Sequence, residues 1–263
     1  MYYCNMENLS KAGRIFYGVA IAGMGLQSIY YGKFPYMLIP PTHFPDPLRL
    51  QLASVSGILL AFAGICIIFE KKIRLVSLLL GSALLLIFCF YYIPYEFMSG
   101  TFKQFGEWEN AEKELALCGG AFVIAGCFSG KNESPIIRFL EKLIPIGIIS
   151  FSLPMICFGI DHFLGPQGVA DYTPAWVPFK LFWAYFCGTA LIASGIAIIL
   201  KIKPDLMAFL LGLMIFIWFI ILHIPKVISA PADELRGEVT SAFLALAYSG
   251  IAFAIAGAGK KQI

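Results

Sequence analysis

Residues 158–178 read FGIDHFLGPQGVADYTPAWVP, and here an acid and an imidazole stand side by side at the end of a long apolar run. The apolar run predicts a membrane helix, and the glycines and prolines that follow it predict an irregular connection. Trp176 is typical of an aromatic anchor at the membrane interface, and a new apolar run begins at residue 179. The stretch therefore predicts the neighbouring ends of two membrane helices with polar side chains between them.

The plan of the chain recurs without a gap. Ile93-Pro94 recurs 131 residues later as Ile224-Pro225, and Gly106-Glu107 recurs at the same interval as Gly237-Glu238. A fixed interval of this kind indicates two copies of one structural unit. We therefore predict two units, residues 1–131 and 132–263.

The composition indicates an integral membrane protein. The 263 residues are 59% hydrophobic and 13% charged, with a mean hydropathy of +0.81, whereas roughly a quarter of the residues of a soluble domain are charged. No basic run interleaved with aromatics suggests nucleic-acid binding. The seven cysteines lack metal-ligand spacing and are typical of small apolar helix residues, so we predict no metal site.

The apolar runs predict an all-α integral membrane protein with eight transmembrane helices, arranged as two parallel-repeat four-helix bundles. Segments on one side of these helices hold 12 of the 19 basic residues. Since cytoplasmic segments collect Lys and Arg, we predict a multi-pass protein of the inner (cytoplasmic) membrane with both termini cytoplasmic. The predicted helices lie near residues 13–31, 49–69, 73–93, 111–128, 142–163, 179–200, 205–223 and 240–258.

Polar groups at the outer ends of the second unit are the candidate site. Asp161 and His162 lie in the last turn of the fifth helix, and His223 ends the seventh, where Pro225 is expected to stop it. If each unit packs as a bundle, these groups share one layer, and a carboxylate beside an imidazole can orient it. The ligand-binding candidates are Asp161, His162, Trp176, Lys180, Tyr185, His223 and Glu238.

Structural alternatives stand beside each candidate. Asp161 and His162 would also be explained as a hydrogen-bonded pair at the membrane interface. His223 would also be explained as a cap at the end of its helix, and Glu238 as an acidic residue near a helix N-terminus. Trp183 and Trp218 are expected to be interface or packing aromatics. The first unit has Tyr30, Tyr31 and Tyr92 at the positions of Asp161, His162 and His223, so we expect any site built from these three groups to belong to the second unit alone.

Motifs for common chemistries are missing from the sequence. It has no Walker A loop, HExxH, GxSxG or dinucleotide fingerprint, and we expect no buried cluster of carboxylates such as proton-driven transporters carry. Two histidines on different helices also allow a bis-imidazole haem. We favour a quinone over haem because the first unit has no equivalent histidines.

The second unit resembles the DoxX-like membrane proteins. The resemblance rests on Ile160-Asp161-His162-Phe163, on residues 174–178 (PAWVP) and 181–186 (LFWAYF), and on Leu222-His223-Ile224-Pro225. It covers the first unit only through the repeat. It implies a four-helix unit, here duplicated, and some members of that wider group are associated with a quinone-linked thiosulfate oxidoreductase.

The resulting functional hypothesis is a membrane subunit or accessory protein that binds a lipophilic quinone-type molecule at its outer face. Asp161 would orient His162, and His223 would contact the head group. A redox partner subunit and the lipid bilayer are the expected partners. A carrier of a small solute and a ligand-free membrane scaffold are the alternatives.

Overall fold

The structure is a computed structural model that describes residues 2–40, 45–100, 103–129 and 134–258, with side chains from residue 7 onward. Within these ranges the chain is helical and forms no strand. The α-helices are α1 (Tyr2–Tyr31), α2 (Asp46–Ile68), α3 (Ile73–Ile87), α4 (Ile93–Met98), α5 (Glu109–Gly126), α6 (Pro135–Glu141), α7 (Ile146–Leu164), α8 (Pro166–Tyr172), α9 (Lys180–Ile199), α10 (Pro204–Trp218), α11 (Ile224–Ser229) and α12 (Leu235–Ala258). Two π-helices, Phe88–Tyr92 and Phe219–His223, and a 3₁₀ helix, Phe105–Trp108, complete the secondary structure.

Six helical segments in the described part of the chain are long and apolar enough to cross a membrane. This agrees with the prediction of a helical membrane protein. The other two predicted spans, 13–31 and 111–128, fall on α1 and α5, and α5 begins with four charged side chains within six residues. The six segments are Asp46–Ile68, Ile73–Met98, Pro135–Leu164, Lys180–Ile199, Pro204–Ser229 and Leu235–Ala258.

Several element boundaries recur at the interval of the sequence repeat. Helix α3 starts at Ile73 and α10 at Pro204, 131 residues later, and both are followed directly by a π-helix. The residues before these helices, Lys72 and Lys203, both have left-handed backbone with φ of 47° and 43°. The proposed boundary between the units, at residues 131 and 132, lies outside the described residues.

Pro225 does not end the seventh predicted helix. The helix runs on through Phe219–His223 and α11 to Ser229. A proline removes one backbone donor and crowds the preceding turn, and here the turn that precedes it is widened into a π-helix. His223 therefore lies within a continuous helical segment instead of capping its end, and Tyr92 occupies the same place before Pro94.

The two halves lie side by side: the long helices of each half contact one another in chain order, and the halves meet along two pairs of long helices. Helix α1 packs along α12 and α2, while α7 packs along α9 and α5. The first helix of each half therefore lies against the last helix of the other half. A contact between α5 and α12 joins these groups at the centre.

Glycines allow a close approach of the helices that join the two halves. A Cβ atom on Gly250 of α12 would lie 2.6 Å from the carbonyl oxygen of Gly13 in α1. A Cβ atom on Gly119 of α5 would lie 2.7 Å from the carbonyl oxygen of Gly147 in α7. Small residues permit such close backbone approach in membrane helix pairs. The contact of α5 with α7 also carries first-half side chains to the site described next.

Candidate functional site

A cavity of about 950 Å³ lies among α7, α9, α10 and α12, and residues of α8 cover part of it. Its deeper wall is apolar and includes Met155, Leu191, Met214 and Ala245. Polar side chains come from helix ends on one side of the molecule: the end of α7, the start of α5 and the π-helix after α10. The cavity thus offers an apolar chamber with a polar mouth.

Three of the seven candidate residues line this cavity, namely Asp161, His162 and His223. These three residues come together because α9 packs against both α7 and α10, which brings the end of α7 and the π-helix after α10 to the same cavity.

The other four candidates do not line the cavity. Trp176 is 66% exposed, and Tyr185 is 43% exposed and packs on the ring of Phe163. Lys180 is half-buried at the start of α9. Helix α9 turns Trp183, Ala184 and Cys187 toward the cavity, and helical spacing then directs Tyr185 outward. Glu238 acts through a neighbour, as described below.

His162 is oriented by its own helix. Its Nδ1 atom lies 2.7 Å from the carbonyl oxygen of Phe158. Because a carbonyl only accepts, Nδ1 carries the hydrogen, and Nε2 of the neutral ring is an acceptor. We expected Asp161 to orient this ring, but consecutive helical residues point about 100° apart, and the carbonyl one turn back is the nearer partner.

His223 faces a cluster made by three other side chains. Its Nδ1 atom is buried and has no hydrogen-bond partner among the described residues. The Tyr172 ring lies 6.4 Å from the His223 ring, and the Tyr172 hydroxyl donates to Oε2 of Glu238 at 2.6 Å. Lys226 Nζ lies 3.6 Å from the centre of the Tyr172 ring. Glu238 therefore supports the cavity by holding Tyr172.

Tyr172 remains a neutral donor in this cluster. Burial raises the pKa of its hydroxyl, and the hydrogen bond to Glu238 and the charge of that carboxylate raise the pKa further. The α8 residues around it, Gly168 and Val169, also line the cavity. The hydrogen bond from Tyr172 to Glu238 thus holds α8 against α12 beside the cavity.

The first half also contributes to the site, which the sequence did not predict. Lys113 and Glu109 of α5 line the cavity and form an ion pair of 2.7 Å. Tyr36 lines it too, with its hydroxyl 3.1 Å from Ser241 Oγ and its ring 5.1 Å from Lys113 Nζ. The lining of the cavity therefore combines Asp161, His162 and His223 of the second half with residues of the first half. The charged residues at the start of the predicted helix 111–128 are the feature of the sequence that could have indicated this contribution.

Two tryptophans form a further part of the wall. Trp183 and Trp218 line the cavity with ring centres 6.2 Å apart in an edge-to-face arrangement. The indole N–H of Trp218 donates to Cys187 Sγ at 3.0 Å. We expected these residues to be interface or packing aromatics. The structure adds a role in shaping the chamber, since both rings face its interior.

The described residues contain no group of three or more His, Cys, Asp or Glu side chains close enough to hold a metal ion. The cysteines described are unpaired thiols. His43, the third histidine, lies outside the described residues. The residues that line the cavity include hydrogen-bonding and aromatic side chains.

Comparison with protein families, characterised proteins and solved structures identified no match to this chain.

Proposed function

We propose that this is an eight-helix, DoxX-like protein of the inner membrane that binds a lipophilic quinone-type molecule in the cavity, at the outer face. The observation that carries the proposal is an apolar chamber of about 950 Å³ whose mouth gathers Asp161, His162 and His223. Pockets for small organic ligands hold about 300–1,000 Å³ and combine apolar walls with a few convergent polar groups.

The polar groups match a quinone head in kind. A quinone presents two carbonyl oxygens, which accept hydrogen bonds, and its reduced form presents hydroxyls, which donate them. Asp161 and the His162 Nε2 atom supply acceptors, whereas Lys113 supplies a cationic donor. His223, with its unpartnered Nδ1 atom, is placed to meet the head group itself. When bound, such a ligand would supply the redox chemistry, and these side chains would position its head.

The apolar walls suit the rest of such a molecule. Trp183 and Trp218 offer flat aromatic surfaces, and Met155, Leu191 and Met214 continue the wall toward the membrane interior. A polyprenyl chain or a shorter alkyl chain would leave water for this surface at a gain of roughly 0.8 kcal/mol per CH₂ group. The arrangement thus favours an amphiphilic ligand with its polar end at the outer face.

The duplication and the topology belong to the same proposal. The recurring boundaries, the paired π-helices and the equivalent contacts of Gly119 and Gly250 support two copies of one four-helix unit, with four crossings each. Even numbers of crossings place Lys72 and Lys203 on the same side, which the excess of basic residues there makes the cytoplasmic side. A redox partner would then meet the protein at the opposite face.

Quenching of tryptophan fluorescence tests this function. Purified protein is titrated with decylubiquinone, and we expect saturable quenching because Trp183 and Trp218 line the chamber. His223→Ala is expected to weaken binding by about tenfold, the loss of one good polar contact. Tyr185→Ala, altered on the outward face of α9, is the matched control and should bind as the wild type does. Identical titrations for wild type and His223→Ala would refute the proposed site.

A further inference from the structure

A second buried site lies on the first-half side of the central helices. Glu114 in α5 is fully buried, with 0% of its surface exposed. Neither of its carboxylate oxygens has a hydrogen-bond partner among the described residues. An ionised carboxylate in such a place would be desolvated and unpaired, which is among the costliest arrangements in a protein interior.

Three buried tyrosines from three other elements surround Glu114 within electrostatic reach. They are Tyr17 of α1, Tyr92 of the first π-helix and Tyr248 of α12. Each hydroxyl donates its proton to a backbone carbonyl: Tyr17 to Leu117 at 2.7 Å, Tyr92 to Met37 at 2.6 Å and Tyr248 to Lys113 at 3.1 Å. A tyrosine has only one such proton, so each oxygen can offer Glu114 only an acceptor.

The thiol nearby is committed in the same way. Cys118, one turn along α5, donates to the carbonyl oxygen of Gly81 at 3.3 Å. The charged groups next in range are acidic, with Glu96 near Tyr92 and both Glu109 and Glu112 near Tyr248. The adjacent cation, Lys113, is paired with Glu109. The tyrosine hydroxyls and the thiol described near Glu114 thus donate their hydrogens to backbone carbonyls, and the further charged groups in range, apart from the paired Lys113, are negative.

From this environment we infer that Glu114 binds a proton at neutral pH and forms a proton-exchange site inside the helical core. A protonated carboxyl carries a hydroxyl donor, which is what acceptor-only surroundings require. A metal cation would need several ligands, whereas the described residues around Glu114 supply one carboxylate and no metal-binding cluster.

Tyr248 connects the surroundings of Glu114 with the cavity. Its ring lines the cavity, and the Glu114 carboxyl lies within electrostatic reach of its hydroxyl. A ligand whose protonation changes on reduction would then lie one side chain away from a proton store. The proton site itself depends on Glu114 and its neighbours, and it stands whatever occupies the cavity.

Infrared spectroscopy of the purified protein, labelled with ¹³C in the glutamate carboxyls, tests the inference. We expect an isotope-shifted C=O band of a protonated carboxyl at neutral pH, and we expect Glu114→Gln to abolish it. Glu234→Gln is the matched control, because Glu234 is exposed and lies outside both the cavity lining and the surroundings of Glu114, and it should leave the band unchanged. Circular dichroism establishes that each variant keeps its helical content.

Two results would overturn the inference. One is a wild-type spectrum without a protonated glutamate band at neutral pH, which needs no variant to interpret. The other is a band that persists in Glu114→Gln. If Glu114→Gln does not fold, Glu114→Asp is used instead, and the glutamate band must then disappear while an unlabelled carboxyl band takes its place.

Discussion

The two halves of the molecule place different chemistry on equivalent positions of one frame. Where the second half has His223 and Ala245 beside a cavity, the first half has Tyr92 and Glu114 in the core. Tyr92 is bonded to the Met37 carbonyl, whereas the Nδ1 atom of His223 is unpartnered. The helix geometry recurs in both halves, while the side chains at equivalent positions differ in their hydrogen bonding and in whether they face the cavity.

One hydrogen bond between helices occurs at equivalent positions of both halves. Cys118 donates to the carbonyl oxygen of Gly81, and Ser249 donates to the carbonyl oxygen of Gly212. These pairs are separated by the same 131 residues. Helix α5 therefore packs on α3 in the same register as α12 packs on α10. The side chains that differ between the halves, such as Tyr92 and His223, lie away from this hydrogen bond.

The largest expected loss of stability comes from disrupting the close helix contacts that join the two halves. Gly250→Leu would force a side chain against the α1 backbone, and Gly119→Leu would do the same against α7. We expect each change to cost more than about 3 kcal/mol, beyond ordinary overpacking, because backbone cannot move aside. Fluorescence-detected size-exclusion chromatography should show loss of the folded peak for both.

The control for this comparison is Gly106→Ala, since nothing lies within 4 Å of a Cβ atom placed there. It should elute as the wild type does. A folded Gly250→Leu protein alongside an unfolded Gly119→Leu protein would show that the two crossed contacts are not equivalent.

A second prediction moves a first-half side chain into the second-half cavity. Ala245→Glu puts the counterpart of Glu114 into the apolar wall, and we expect decylubiquinone affinity to fall by roughly tenfold or more. Ala245→Gln adds similar volume without an ionisable group and separates the two causes. Unchanged binding in Ala245→Glu would place the ligand elsewhere.

The third prediction concerns Tyr172, which has no tyrosine counterpart in the first half. Its pKa is raised in the folded protein by burial and by Glu238, so the folded state favours the neutral hydroxyl. The stabilisation is complete below the ordinary tyrosine pKa of about 10 and is lost as the pH rises toward the folded pKa. The midpoint temperature should therefore fall less steeply above about pH 10 in Tyr172→Phe.

The expected difference is small, on the order of 1 kcal/mol or a few degrees in Tm. Tyr185→Phe, changed on the outward face of α9, is the matched control and should follow the wild-type pH profile. An equal slope for wild type and Tyr172→Phe would show that the Glu238 contact does not stabilise the fold.

The smallest effect is expected from exchanging the shared contact. Cys118→Ser and Ser249→Cys each install the residue that the other half uses for the same hydrogen bond. Because the acceptor carbonyl is unchanged, we expect shifts below about 1 kcal/mol in the free energy of unfolding. A loss of several degrees in Tm for either exchange, measured by thermal unfolding, would show that the registers differ.

Hydropathy predicted the helices well because it reports which residues avoid water. The predicted run 205–223 corresponds to α10 and the π-helix after it, but its extension to Ser229 was missed. A proline was taken as a stop, whereas the backbone accommodates Pro225 by widening one turn. Sequence periodicity does not distinguish a wide turn from a helix end.

The site was predicted in part for a related reason. Asp161, His162 and His223 line one cavity because they lie at the same end of their helices, a position that the sequence indicates. Lys113 and Glu109 were missed because the sequence gives no sign that α5 packs on α7 of the other half. Pairings between distant helices are set by side-chain shape, which a single sequence does not reveal.

The most direct test of the proposed function is to identify what the protein retains when it is purified in mild detergent. Solvent extracts of the wild type, His223→Ala and Tyr185→Ala are compared by mass spectrometry and by an absorbance scan. A quinone in stoichiometric amount, present in the wild type and Tyr185→Ala and lost from His223→Ala, is the expected result. Bulk lipid alone, without a chromophore and without a difference among the three proteins, would contradict the account.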